Sequence, residues 1–100
     1  MTSQNRVTLT GRVVTSPRRH YRPDGSAVVQ FSLEIRCEAG QALINIVAIG
    51  GLAELELDLL QAGQHLLVEG RLNQRRWQTP EGKHRTRMEV IATDLRRVDE

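Results

Sequence analysis

Along residues 6 to 14 apolar and polar side chains alternate, with Val7, Leu9, Gly11 and Val13 on one side and Arg6, Thr8, Thr10 and Arg12 on the other. That period predicts a strand with one buried face. Ser16-Pro17 ends it, and a loop over residues 17 to 26 follows. In that loop Pro23-Asp24-Gly25 is a turn signal, since proline presets one dihedral and glycine accepts a positive one. Residues 27 to 37 alternate again, placing Val29, Phe31, Leu33, Ile35 and Cys37 inward and Gln30, Ser32, Glu34 and Arg36 outward. After Gly40, residues 42 to 49 read ALINIVAI, a nearly unbroken apolar run that suits a strand covered on both faces. The second cover is expected from the following helix or from a second subunit.

Gly50-Gly51 interrupts the run. Residues 52 to 61 (LAELELDLLQ) have the composition of a helix closing at Gly63, with Leu52, Leu55 and Leu59 on one face. Alternation of Leu55, Leu57 and Leu59 also permits a strand. Residues 65 to 72 and 85 to 98 read as two more strands, the last with Met88, Val90 and Ala92 opposed to Glu89, Ile91 and Thr93. Pro80-Glu81-Gly82 between them predicts a two-stranded ribbon. Three strands, a helix and two strands are the order of an all-β OB-fold with one short helix. This is a five-stranded Greek-key barrel whose binding face lies between the loops joining strands one to two and four to five. One such domain accounts for residues 1–100.

Charge changes the picture through its placement. The formal net charge is only +2, too weak to steer a partner, but its distribution is uneven. Arg12, Arg18, Arg19 and Arg22 form one basic cluster, and Arg71, Arg75, Arg76, Lys83, Arg85 and Arg87 surround Trp77 in another, while Glu54, Glu56 and Asp58 sit between them. Both basic clusters fall on the loops that flank the barrel's binding face. Guanidinium groups neutralise phosphates and an indole face stacks on an unpaired base, so the pattern points to a single-stranded nucleic acid. Trp77 either stacks on a base or packs on its own hairpin or a neighbouring subunit. Tyr21, in the first basic loop, either stacks or braces that loop. Arg96 and Arg97 are expected to solvate the end of the last strand or to pair with Asp94, Asp99 and Glu100.

Other chemistry finds little support. Cys37 is alone, and with no export signal and no 18-residue apolar run this predicts a cytoplasmic chain without a disulfide and off the membrane. His20, His65 and His84 are scattered without ligand spacing, so no metal or other cofactor is expected. No nucleophile motif or phosphate loop occurs, and the acidic residues are expected on the helix or at strand ends. No catalytic residue is assigned.

Asn5-Arg6-Val7 through Gly11, Ser16-Pro17, Arg22-Pro23-Asp24-Gly25, Val29-Gln30-Phe31-Ser32-Leu33-Glu34, Ile49-Gly50-Gly51-Leu52-Ala53-Glu54, Gly63, Val68-Glu69-Gly70-Arg71-Leu72 and Arg75-Arg76-Trp77 resemble successive motifs of the bacterial single-stranded DNA-binding protein family, in register along nearly the whole chain. The resemblance takes in primosomal replication protein N. It implies an OB-fold, sequence-tolerant binding of single-stranded DNA in replication, replication restart or repair, and assembly into homodimers or homotetramers. It also marks departures: Leu43 and Ile49 stand where aromatic side chains are usual, and no acidic tail of the kind the resemblance implies is expected. Each lost aromatic removes about 1 to 3 kcal/mol of stacking, which shifts the expectation toward phosphate contacts. A second reading is an adaptor that docks replication or primosome proteins, with DNA contact secondary. RNA binding in the cold-shock manner is disfavoured, because the aromatic-rich strand motifs of that group are absent.

Overall fold

The computed structural model describes residues 3–55 and 61–98. Its elements are β1 (Val7–Val13), β2 (Arg18–Tyr21), β3 (Ala27–Cys37), β4 (Gly40–Ile49), α1 (Gly51–Leu55), β5 (His65–Gln78) and β6 (His84–Arg97). Five of these strands close a ring. β1 runs antiparallel to β5, β5 to β6 and β4 to β3, β6 lies parallel to β4 from Asn45↔Glu89 to Val47↔Ile91, and β3 returns to β1 at Val13↔Leu33. This is the OB barrel that the element order predicts.

The alternating positions meet inside the ring. Val13, Val29, Phe31, Leu33, Ile46, Leu66, Val68 and Val90 are each at most 2% exposed. Burying each such side chain stabilises the fold by about 1.5–3 kcal/mol. Ala53 of α1 is fully buried and Leu52 packs beside it, so the short helix closes one end of the core. Residues 56–60 of the expected helix, including Leu57, Leu59, Glu56 and Asp58, lie outside the described residues, as do the side chains of Glu54 and Leu55, while Gln61, at its expected end, is exposed and not helical.

Several positions depart from the alternation, each for a geometric reason. Cys37, expected inward, is exposed, because β3 and β4 run on as a hairpin to Cys37↔Gly40 while β1 pairs with β3 only as far as Glu34. Met88 and Leu72 lie on the core-facing side of their strands yet are 52% and 47% exposed. There β5 and β6 have left the barrel and continue as a free ribbon to Gln78↔His84. The presumed loop over residues 17 to 26 contains a strand, β2, paired with β3 from Arg18↔Gln30 to Tyr21↔Ala27. All four of its side chains are exposed, so no hydrophobic period marks it. On the second face of β4, Val47 and Ile49 line a cleft with side chains of β2 and β5, while Leu43 on the same face is 65% exposed.

The ribbon's exit is set at Gly70. The pairing of β5 with β6 shifts between Glu69 and Gly70, and a Cβ at Gly70 would lie 2.2 Å from the Ile91 carbonyl oxygen. Only glycine lets the strands approach so closely at this bulge. Beyond the last rung of β1 with β5, the Asn5 side chain donates to the Leu72 carbonyl and accepts from its amide, each at 2.8 Å. These two bonds imitate one more rung and hold the base of the ribbon.

Candidate nucleic-acid interface

Two hairpins with the same turn chemistry rise from the barrel. In the first arm the Gly25 amide donates to the Arg22 carbonyl and the Arg22 amide to the Ser26 carbonyl, each at 2.9 Å. In the ribbon the Gly82 amide donates to the Thr79 carbonyl and the Thr79 amide to the Lys83 carbonyl, each at 2.8 Å. Both turns follow the order X-Pro-acid-Gly, with the glycine at φ 90° and 86°. This is a type I turn closed by a left-handed residue, the conformation glycine takes without strain. Asp24 tightens the first turn by accepting from the Ser26 hydroxyl at 2.7 Å and the Ser26 amide at 2.9 Å. Those bonds, the hydroxyl's foremost, hold its carboxyl below the usual value of 3.8.

The arms face each other across a trough. One cleft of about 270 Å³ is walled by His20 and Arg22 from the first arm and by Asn73 and Arg75 from the ribbon, over a floor that includes Val47 and Glu89. A second, of about 240 Å³, has Arg18 on one side, Arg87 on the other and Asn45 and Ser32 beneath. The two adjoin at Gln30, which lines both. The floor is the outer face of β3 and β4, met by β6.

Strand register sorts the remaining basic residues. On the ribbon Arg71↔Ile91, Asn73↔Glu89, Arg75↔Arg87 and Trp77↔Arg85 share the face that turns toward the trough. Arg75 and Arg87 stand directly opposite one another, a like-charge pair that costs stability unless an anion joins it. The Arg75 guanidinium lies 5.9 Å from the centre of the Trp77 ring, and Trp77 remains 43% exposed. A cation over the indole braces the ring while leaving surface for contact. Arg76 lies on the opposite ribbon face, where its guanidinium donates to Gln74 at 3.0 Å. Lys83 is exposed beside the turn. On β2 the alternation puts Arg18 and His20 toward the trough and Arg19 and Tyr21 on the outer side, with Tyr21 61% exposed.

Arg12 stands apart. Its guanidinium pairs with Glu34 at 3.1 Å and lines a separate cleft with Arg36 and Gln41. Among the described residues, the ion pairs of Arg12 with Glu34 and of Arg96 with Asp94 both lie off the trough, and no trough arginine makes such a close pair, although the charge of Arg22 helps to lower the Asp24 carboxyl. The Arg96 pair, at 2.7 Å, is one of those anticipated from the sequence.

The floor holds polar groups the sequence reading passed over. Acidic residues are expected on the helix or at strand ends, but Glu89 is 6% exposed in mid-strand. One of its carboxylate oxygens accepts from the Asn73 amide at 3.1 Å, and the other is buried without a partner, as is the Asn45 side-chain nitrogen. Asn45 was open to notice, being the one polar residue in ALINIVAI. No helix among the described residues is long and apolar enough to cross a membrane.

The Single-strand binding protein family matches residues 4–98. A single-stranded DNA-binding protein of Thermotoga maritima is 35% identical over 104 positions, covering 95% of this chain and 74% of the relative. Proteins of the same name from Thermus thermophilus and Neisseria meningitidis are 34% and 31% identical, and there the chain spans only 40% and 59% of the relative's length. Matched across residues 4–98 and folded as an OB barrel, the chain belongs to the single-strand binding protein family.

Proposed function

We propose that this protein binds single-stranded DNA without catalysis, holding the strand in the trough between the first arm and the ribbon. The observation that carries this reading is the convergence of Arg18 and Arg22 from one hairpin with Arg75 and Arg87 from the other around a single trough. Guanidinium groups in two facing rows, without close ion pairs of their own, suit a flexible polyanion, whose phosphates they neutralise. Arg71, Arg85 and Trp77 extend the ribbon wall, Trp77 offering a stacking surface. Arg19, Tyr21, Arg76 and Lys83 lie on outer faces or at the tip and serve a strand that leaves the trough. The relatives, named for the same ligand, support the choice of single-stranded DNA.

The work this suits is the cytoplasmic covering of exposed strands during replication, replication restart or repair. Assembly into a homo-oligomer fits the same picture. β1 pairs with β5 on one edge but meets β3 only at Arg12 and Val13 on the other, so residues 7–11 present an open edge that a second copy can extend. The adaptor reading keeps one supporting observation: Leu72 and Met88 are exposed together on the ribbon face away from the trough.

A titration of unstructured oligonucleotide at several salt concentrations tests the proposal. Affinity is expected to fall with salt at a log–log slope of about 0.7 per neutralised phosphate. Binding that ignores salt, or no binding at low salt, overturns it. Retention of replication proteins in nuclease-treated lysate, with oligonucleotides held no tighter than millimolar, would favour the adaptor.

A further inference from the structure

An uncompensated carboxylate at the bottom of a cationic trough is a poor place for a phosphate. Glu89 is 6% exposed there, with one oxygen held by Asn73 at 3.1 Å and the other without a partner. Its register partner across the parallel β4–β6 pairing is Asn45, whose side-chain nitrogen is also buried and unpartnered. An orphaned acceptor and an orphaned donor thus occupy one rung of the sheet, side by side and not joined. Buried polar groups are nearly always satisfied, and each left unmade costs about 1–3 kcal/mol. A rung that tolerates two such groups inside a ligand-sized trough is arranged for something that brings the complementary pair.

The unpaired edge of a nucleobase brings that pair. Each base places an N–H next to a carbonyl or ring-nitrogen acceptor, as thymine does with N3–H beside O4. We propose that Asn45 and Glu89 form a base-edge site, in which Glu89 accepts the base N–H and Asn45 donates to the neighbouring acceptor. This rests on the reading of the trough as a single-strand site and adds to it a direction: phosphates on the arginine rims, one base pointing to the floor. Glu89 lines the cleft of Arg22 and Arg75, and Asn45 that of Arg18 and Arg87. Phosphates that draw these four long side chains to the rim uncover the rung beneath. Because every base carries such an edge, the site contributes affinity without demanding a sequence.

The test compares oligothymidylate with the same strand methylated at every N3, which replaces the N–H by a methyl group and leaves backbone charge unchanged. The wild-type protein is expected to bind the methylated strand about tenfold more weakly, within the range of a good base-edge contact. In Glu89→Leu the two strands are expected to bind alike. Glu89→Gln, which keeps the shape and replaces a charged acceptor by a neutral one of about half the strength, is expected to show a ratio of about three. Equal binding of both strands by the wild-type protein overturns the site. So does an undiminished ratio in Glu89→Leu or, should that variant not fold, in Glu89→Gln, since the methyl group then clashes elsewhere. Failure of the wild-type protein to bind even unmodified oligothymidylate would remove the single-strand reading itself, a separate outcome from an absent ratio.

Discussion

Arg75 faces a like charge across the ribbon and an indole along it, and both neighbours bear on what the site can do. Arg87 opposite raises the local positive potential, while the guanidinium 5.9 Å from the ring centre limits how far Trp77 can swing. A braced, 43% exposed indole loses little freedom on meeting a base. Trp77→Ala is therefore expected to weaken oligonucleotide binding by about 1 to 3 kcal/mol, read from equilibrium titrations. An unchanged affinity would make Trp77 a brace of its own hairpin. Asp24 carries a pH dependence at the same scale. Its folded value is lowered from 3.8, chiefly by the Ser26 hydroxyl, so its contribution is present above that unfolded value and is lost as pH falls through the lower folded one. The Ser26 amide resonance is expected to titrate below about pH 4, and Asp24→Ala should abolish that titration.

Among the elements, the two arms owe their shape to one turn chemistry used twice, and the ribbon owes its exit to a glycine. Gly70→Ala pushes a Cβ to 2.2 Å from a backbone oxygen, so it is expected to cost about 1–3 kcal/mol, as overpacking does, and to lower the thermal midpoint. Gly51→Ala is the control: nothing lies within 4 Å of its added Cβ, and in the helix alanine is favoured over glycine. Thermal unfolding of the two variants should move in opposite directions. β2 shows the reverse relation of sequence to element. The residues Arg18 to Tyr21 have no strand period of their own, and they are extended because β3 offers an edge from Ala27 to Gln30.

For the whole molecule, charge placement outweighs net charge. A formal +2 says little, but Arg12 commits its charge to Glu34 at 3.1 Å while, among the described residues, no trough arginine makes a close ion pair. Arg75→Ala and Arg87→Ala are each expected to reduce the salt slope by about 0.7, the share of one phosphate contact. Arg12→Ala should leave the slope as it is, and an equal drop would show that the strand also runs along the far cleft. Sedimentation at micromolar concentration is expected to show a homo-oligomer. A strict monomer would mean that the open edge of β1 from residues 7 to 11 is left for another partner.

The sequence alone determined the five barrel strands, the helix start at Gly50-Gly51, both turns and hence the OB order, though not β2, because each of these depends on local periodicity or on the dihedral limits of proline and glycine. It also gathered the basic side chains into two clusters along the chain. What only the tertiary structure decided is which of them meet. Arg22 and Arg75 are neighbours of one cleft although 53 residues separate them, and Arg12, on the adjoining strand, turns to the other side. Glu89 and Asn45 become a buried rung only when β6 closes on β4. Burial, pairing and convergence belong to contacts between distant segments, and no local pattern encodes the distance between two arms.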